Sequence, residues 1–163
     1  MSLLYSLTLN KDGSYSFISR HGNHYIIYFS ESILIDSDRN SHAVYNFGFS
    51  RDGEYSSKSF IHKYDSKIRD TIISVINEFF LKADHRALVY FCYGEDGFSR
   101  HRNIVFKKWC SGLDYSIENY NKVAPYLNNK IYGSLIIKKD NPLKKLIIEA
   151  FDINMEEIVN YIS

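Results

Sequence analysis

The stretch RALVYFCYGEDGFSRHRNIVFKKWCSG, residues 86–112, decides the fold. Ala87–Tyr93 runs without polar alternation, the pattern of a central strand covered on both faces. Gly94-Glu95-Asp96-Gly97 breaks it as a glycine-bounded acidic turn. From Ser99 to Cys110 the apolar residues return at helical spacing, with Ser99 placed to cap the first turn. At about 100° per residue, Arg102 falls within roughly 60° of Val105, Phe106 and Trp109, on the stripe that must turn inward. Arg100 and Lys107 fall on the opposite face.

A charge drawn toward a core needs a partner, because an unpaired buried charge is costly. Glu95 and Asp96 are the nearest carboxylates, and a structural ion pair with Arg102 would lock strand, turn and helix together. The functional reading of the same residues is an anion site. There Arg102, Ser99 and the helix N-terminus converge on a phosphate or carboxylate.

Outward from this stretch, the first part of the chain is β-rich. Tyr5–Leu9 and Tyr15–Ser19 flank a turn that contains Asp12-Gly13, a strong hairpin signal. Tyr25–Phe29 and Val44–Phe49 follow, separated by the polar loop Asp36–Ser41, and Arg51-Asp52-Gly53 closes the last of them. In Asp65–Leu81, residues Ile68, Ile72, Val75, Ile76 and Phe79 mark one face of a helix that Asp65 or Ser66 can cap. Asp114–Lys130 is polar and chooses no conformation. Ile131–Lys138 reads as a strand, and Asn141-Pro142 opens a helix filled by Leu143–Phe151. Asn154-Met155-Glu156-Glu157 has the form of a capping box for a short last helix carrying Met155, Ile158, Val159 and Ile162. The sum is one α+β domain over residues 1–163. An N-terminal antiparallel meander leads into helix-strand-helix-strand-helix on a mixed sheet.

The 163 residues carry 45% apolar and 24% charged side chains and a formal charge of +1. That composition gives a soluble globular protein with no general attraction for nucleic acid or anionic membranes. Fourteen tyrosines and eleven phenylalanines suit half-buried strand positions and amphipathic contact surfaces. Two cysteines without a CxxC pattern argue against a disulfide framework or zinc site. The N-terminus lacks a signal-peptide pattern, and no apolar run reaches the roughly 20 residues of a membrane helix. A cytoplasmic location is expected. The six histidines, His21, His24, His42, His62, His85 and His101, form no metal motif, and a surface or capping role suits most of them. No phosphate-cradling glycine loop or nucleophile elbow appears. Arg100, His101, Arg102, Lys107 and Lys108 form a basic cluster that helical rotation scatters, a weak nucleic-acid patch.

Two resemblances extend this reading. Asp65–Gly112, with Arg102, the Phe106 and Trp109 face, and the later Tyr132-Gly133-Ser134-Leu135-Ile136 and Asn141-Pro142, resembles a family of small uncharacterised bacterial proteins, a domain of unknown function. The likeness covers residues 40–152 and implies no activity. The element order from Tyr25 onward is similar to the GNAT acetyltransferase fold, with Ile61–Phe80, Ala87–Tyr93 and Asn103–Trp109 as the matching units. That resemblance implies acyl-CoA pyrophosphate on the N-terminus of the first helix, near Lys63, Ser66 and Lys67. The chain departs from the family there, with no glycine-rich loop and with acidic Asp65 at the cap, which would compete for the same N–H groups. The family's general-acid tyrosine maps to Phe106 or Lys107, neither of them a phenol.

The expected function is therefore a non-catalytic binding or regulatory module with a protein partner or a small anionic ligand, and without a cofactor. The alternatives are a divergent N-acyltransferase using acetyl-CoA, with Lys63, Ser66 and Lys67 at the cofactor phosphates, and a weak nucleic-acid binder. On the structural reading of the opening stretch, Arg102→Ala lowers stability by about 1–3 kcal/mol, measured by denaturant unfolding. Native stability together with lost anion binding would instead mark Arg102 as a ligand residue.

Overall fold

β1 (Thr8–Leu9), β2 (Tyr15–Ile18), β3 (His24–Ile35) and β4 (Ser41–Arg51) run as an antiparallel meander. Then come α1 (Ser66–Lys82), β5 (Ala87–Cys92), α2 (Ser99–Trp109), a 3-10 turn at Cys110–Gly112, β6 (Ile117–Tyr126), β7 (Asn129–Lys138) and α3 (Lys144–Asn160). This is a computed structural model, and it describes residues 3–52, 65–82, 85–94, 97–126 and 128–160. The strands form one mixed sheet in the order β1-β2-β3-β4-β5-β7-β6. β4 and β5 are parallel through Tyr45 opposite Leu88 and Asn46 opposite Val89, while β5 and β7 are antiparallel from Ala87–Ile137 to Cys92–Tyr132. A parallel pair requires a crossover, and α1 lies in the connection that makes it.

Alternation along β5 divides the core. Leu88, Tyr90 and Cys92 join Phe47, Ile72, Ile76 and Phe106 in one cluster, under α1 and α2. Ala87 and Val89 join Val44, Leu135, Ile147, Phe151 and Met155 in the other, under α3. Each large aliphatic or aromatic side chain buried this way contributes roughly 1.5–3 kcal/mol. The first cluster is dense in rings: Tyr90 and Phe106 lie 4.1 Å apart between centroids, and Phe49 stacks on Trp109 at 5.7 Å. Much of the aromatic content is thus interior packing.

The α+β class and the meander stand as read, and Asp65 caps the first helix as expected. Three expectations change. Phe98, not Ser99, precedes the first turn of α2, and Ser99 is itself helical. The ambiguous Asp114–Lys130 stretch is largely strand, since β6 pairs with β7 over ten residues from Ile117–Lys138 to Tyr126–Asn129. The expected last helix does not begin at Asn154, because α3 is continuous through Asn160. Met155 is fully buried, so Ile147, Ala150, Phe151 and Met155 form one unbroken stripe that leaves no place for a break. Asn141 starts this helical stretch by accepting the Leu143 N–H on Oδ1 at 2.8 Å. The closing turn at Gly53 and residue Ile162 lie outside the described residues.

Gly133 of β7 sits beneath α3, where an added Cβ would lie 2.6 Å from Met155 Sδ and 3.1 Å from Phe151 Cζ. Gly133→Ala should therefore cost about 1–3 kcal/mol through overpacking, read by chemical denaturation. A change near zero would mean that α3 does not press on the sheet at this point.

Candidate functional site

The junction after β5 is a hydrogen-bonded joint. Arg102, half-buried on α2, donates from Nη2 to the Tyr93 carbonyl oxygen at 2.8 Å. Ser99 is buried, and its hydroxyl donates to the Lys130 carbonyl oxygen at 3.4 Å. Asn129 Nδ2 donates to the Gly94 carbonyl oxygen at 2.7 Å. The end of β5, the start of α2 and the start of β7 are thereby tied together. In this joint Arg102 bonds a main-chain oxygen, and Glu95 and Asp96, its expected carboxylate partners, lie outside the described residues.

The start of α1 is the second place the sequence marks. Asp65 is buried, and its Oδ1 accepts the Lys67 N–H at 3.0 Å, satisfying a free donor of the first turn. Its Oδ2 accepts the Tyr5 phenol at 2.6 Å and lies 3.4 Å from Arg20 Nε. Burial raises the Tyr5 hydroxyl above its ordinary range, and the hydrogen bond to Asp65 adds to that. The Tyr5 N–H also donates to Thr71 Oγ1 at 2.9 Å, and Lys67 Nζ stands 4.7 Å over the Tyr5 ring. Ser66 is exposed, and Lys63 lies outside the described residues. This helix end therefore anchors the N-terminal segment with its own carboxylate.

Elsewhere the structure pairs groups that the sequence left apart. His42 is buried, not at the surface, and its Nε2 bonds Asp36 Oδ2 at 2.8 Å across the β3–β4 turn. The same carboxylate accepts the N–H groups of Asp38 at 3.0 Å and Asn40 at 2.9 Å. His42 holds the Asp36 carboxyl below the usual carboxylate range against the opposing effect of burial. An Asp one turn before a His was the available signal. With so many donors on it, the carboxylate pins a hairpin. Cys110 is unsuited to nucleophilic work, because burial pushes its thiol up to about 12.

A surface cleft of about 370 Å³ opens between α1 and the 3-10 turn, lined by Arg69, Asp70, Ile73, Ser74, Asn77, Ser111 and Gly112. It includes none of the residues marked from sequence. Arg69 Nε bonds Asp70 Oδ1 at 2.7 Å, and Asn77 Oδ1 accepts the Asp114 N–H at 3.0 Å. Among the described residues, no group of three metal-ligating side chains comes together. No helix among them is long and apolar enough to cross a membrane.

A family model, described as a family of unknown function (DUF6169), matches residues 64–153. The match runs from the α1 cap through most of α3 and leaves the N-terminal meander outside it. No curated protein and no solved structure matches the chain.

A carboxyl whose folded value is lowered adds stability above its unfolded value and loses it as pH falls through the folded one. Asp36→Asn should thus be less stable than the parent at neutral pH, with the gap closing below about pH 4. Thermal unfolding across that range tests this, and a gap independent of pH would contradict it.

Proposed function

The chain belongs to that family of unknown function, and we propose that it acts as a non-catalytic cytosolic binding or regulatory module on a GNAT-like α+β scaffold. Its partner would be a protein or a small anionic ligand. The scaffold reading is supported by the order of elements, in which parallel β4 and β5 are linked through α1 and followed by a helix and a hairpin.

The observation that carries the non-catalytic reading is Asp65. An acyltransferase of this architecture needs the α1 N-terminus for the cofactor's phosphates, and here a buried carboxylate already accepts from that turn. Its negative charge also opposes an incoming phosphate. Lys67, a cation of that first turn, lies over the Tyr5 ring. Of the two positions matching the family's general acid, Phe106 is buried among rings and Lys107 is exposed. Neither offers a phenolic proton. These features argue against the acyl-CoA-dependent alternative and leave recognition as the better-supported role.

Acetyl-CoA at millimolar concentration should leave the unfolding temperature unchanged in a thermal-shift titration. A specific ligand would stabilise the fold by RT ln(1 + [L]/Kd), about 2.7 kcal/mol at a hundredfold excess over Kd. A saturable, concentration-dependent rise would restore the acyltransferase reading.

A further inference from the structure

β6 ends the sheet, and among the described residues its outer edge has no strand beside it. The Ile117 N–H is taken by the Asp114 carbonyl oxygen at 2.9 Å, and from Glu118 on the edge presents a row of main-chain donors and acceptors, a template for another strand. Pro125 lacks an N–H and limits useful pairing to the part before it. We propose that Ile117–Val123 pairs with the same segment of a second copy, antiparallel about a twofold axis at Tyr120, joining two seven-stranded sheets.

The sequence of the edge is self-complementary about that residue. Antiparallel pairing centred on Tyr120 sets Glu118 opposite Lys122 of the other copy, Asn119 opposite Asn121, and Ile117 opposite Val123, each pair occurring twice. Shifting the register by one residue puts Glu118 opposite Val123 or Asn121 and loses both ion pairs. The flanking helix repeats the pattern. Glu118 bonds Lys144 at the start of α3 at 3.1 Å, and Lys122 lies 3.1 Å from Asp152 and 3.3 Å from Glu156, further along α3. The twofold therefore continues each internal bridge into an alternating row, Lys144, Glu118, then Lys122 of the second copy with its Asp152 and Glu156. Tyr120 and Val123 are exposed on this edge, as an interface between copies requires. A second copy fits this edge better than an unrelated strand, because the charge pattern is its own complement.

Sedimentation velocity over a concentration series tests the pairing. The parent protein should dimerise, and Glu118→Lys and Lys122→Glu should each weaken self-association by about tenfold or more, since each sets like charges opposite one another. An equimolar mixture of the two variants should recover association, because one variant then offers two cations on this edge and the other two carboxylates. Both variants also lose an internal bridge, so circular dichroism must show native content. Val123→Lys, on the opposite face from α3, should weaken the dimer independently of those bridges. A parent that stays monomeric throughout would overturn the proposal. So would a dimer that none of the three variants weakens, or charge variants that do not associate on mixing.

Discussion

β5 is the constraint on which the rest of the structure depends. Its six residues are apolar, and both of its faces are covered, with Leu88 and Ala87 fully buried on opposite sides. Such a strand is stable only with helices above and below it. That requirement accounts for the stripe of Ile68, Ile72 and Ile76 on α1 and the stripe of Ile147, Phe151 and Met155 on α3. Parallel pairing with β4 makes α1 part of a crossover rather than an appendage. Antiparallel pairing with β7 leaves β6 at the rim, so the placement of one strand also determines which edge is open.

Several charged and titratable side chains serve this architecture at its joints. Arg102 binds the Tyr93 carbonyl where the chain leaves β5, Asp65 closes the start of α1, and Asp36 with His42 closes the β3–β4 turn. Each is a charged or titratable group engaged by main-chain partners or by a neighbouring side chain. Pairing of this kind fixes a conformation more than it raises stability, given the cost of removing charge from water.

The sequence made β5 and α1 plain because burial patterns repeat over many residues there, and Asp65 stands one residue before the first helical turn. It concealed β6, because IENYNKVAPY mixes polar residues onto both faces and includes a proline. Its pairing with β7 supplies the order that its own periodicity lacks. The capping-box pattern at Asn154 misled for the opposite reason. Local chemistry favoured a helix start, but the buried stripe through Met155 demanded continuity, and packing prevailed. The bond from Arg102 to the Tyr93 carbonyl was hidden because a carbonyl oxygen belongs to every residue and leaves no mark in a sequence. His42 was hidden because its pairing with Asp36 needs the β3–β4 turn to bring them together.

Native-state hydrogen exchange tests the central role of β5 most directly, since it reads the opening free energy of each strand separately. Amides of β5 and the inner part of β7 should exchange only on global unfolding, while those of β1 exchange by smaller openings. If β5 amides exchanged as readily as those of β1, the strand would not be the element that organises this fold.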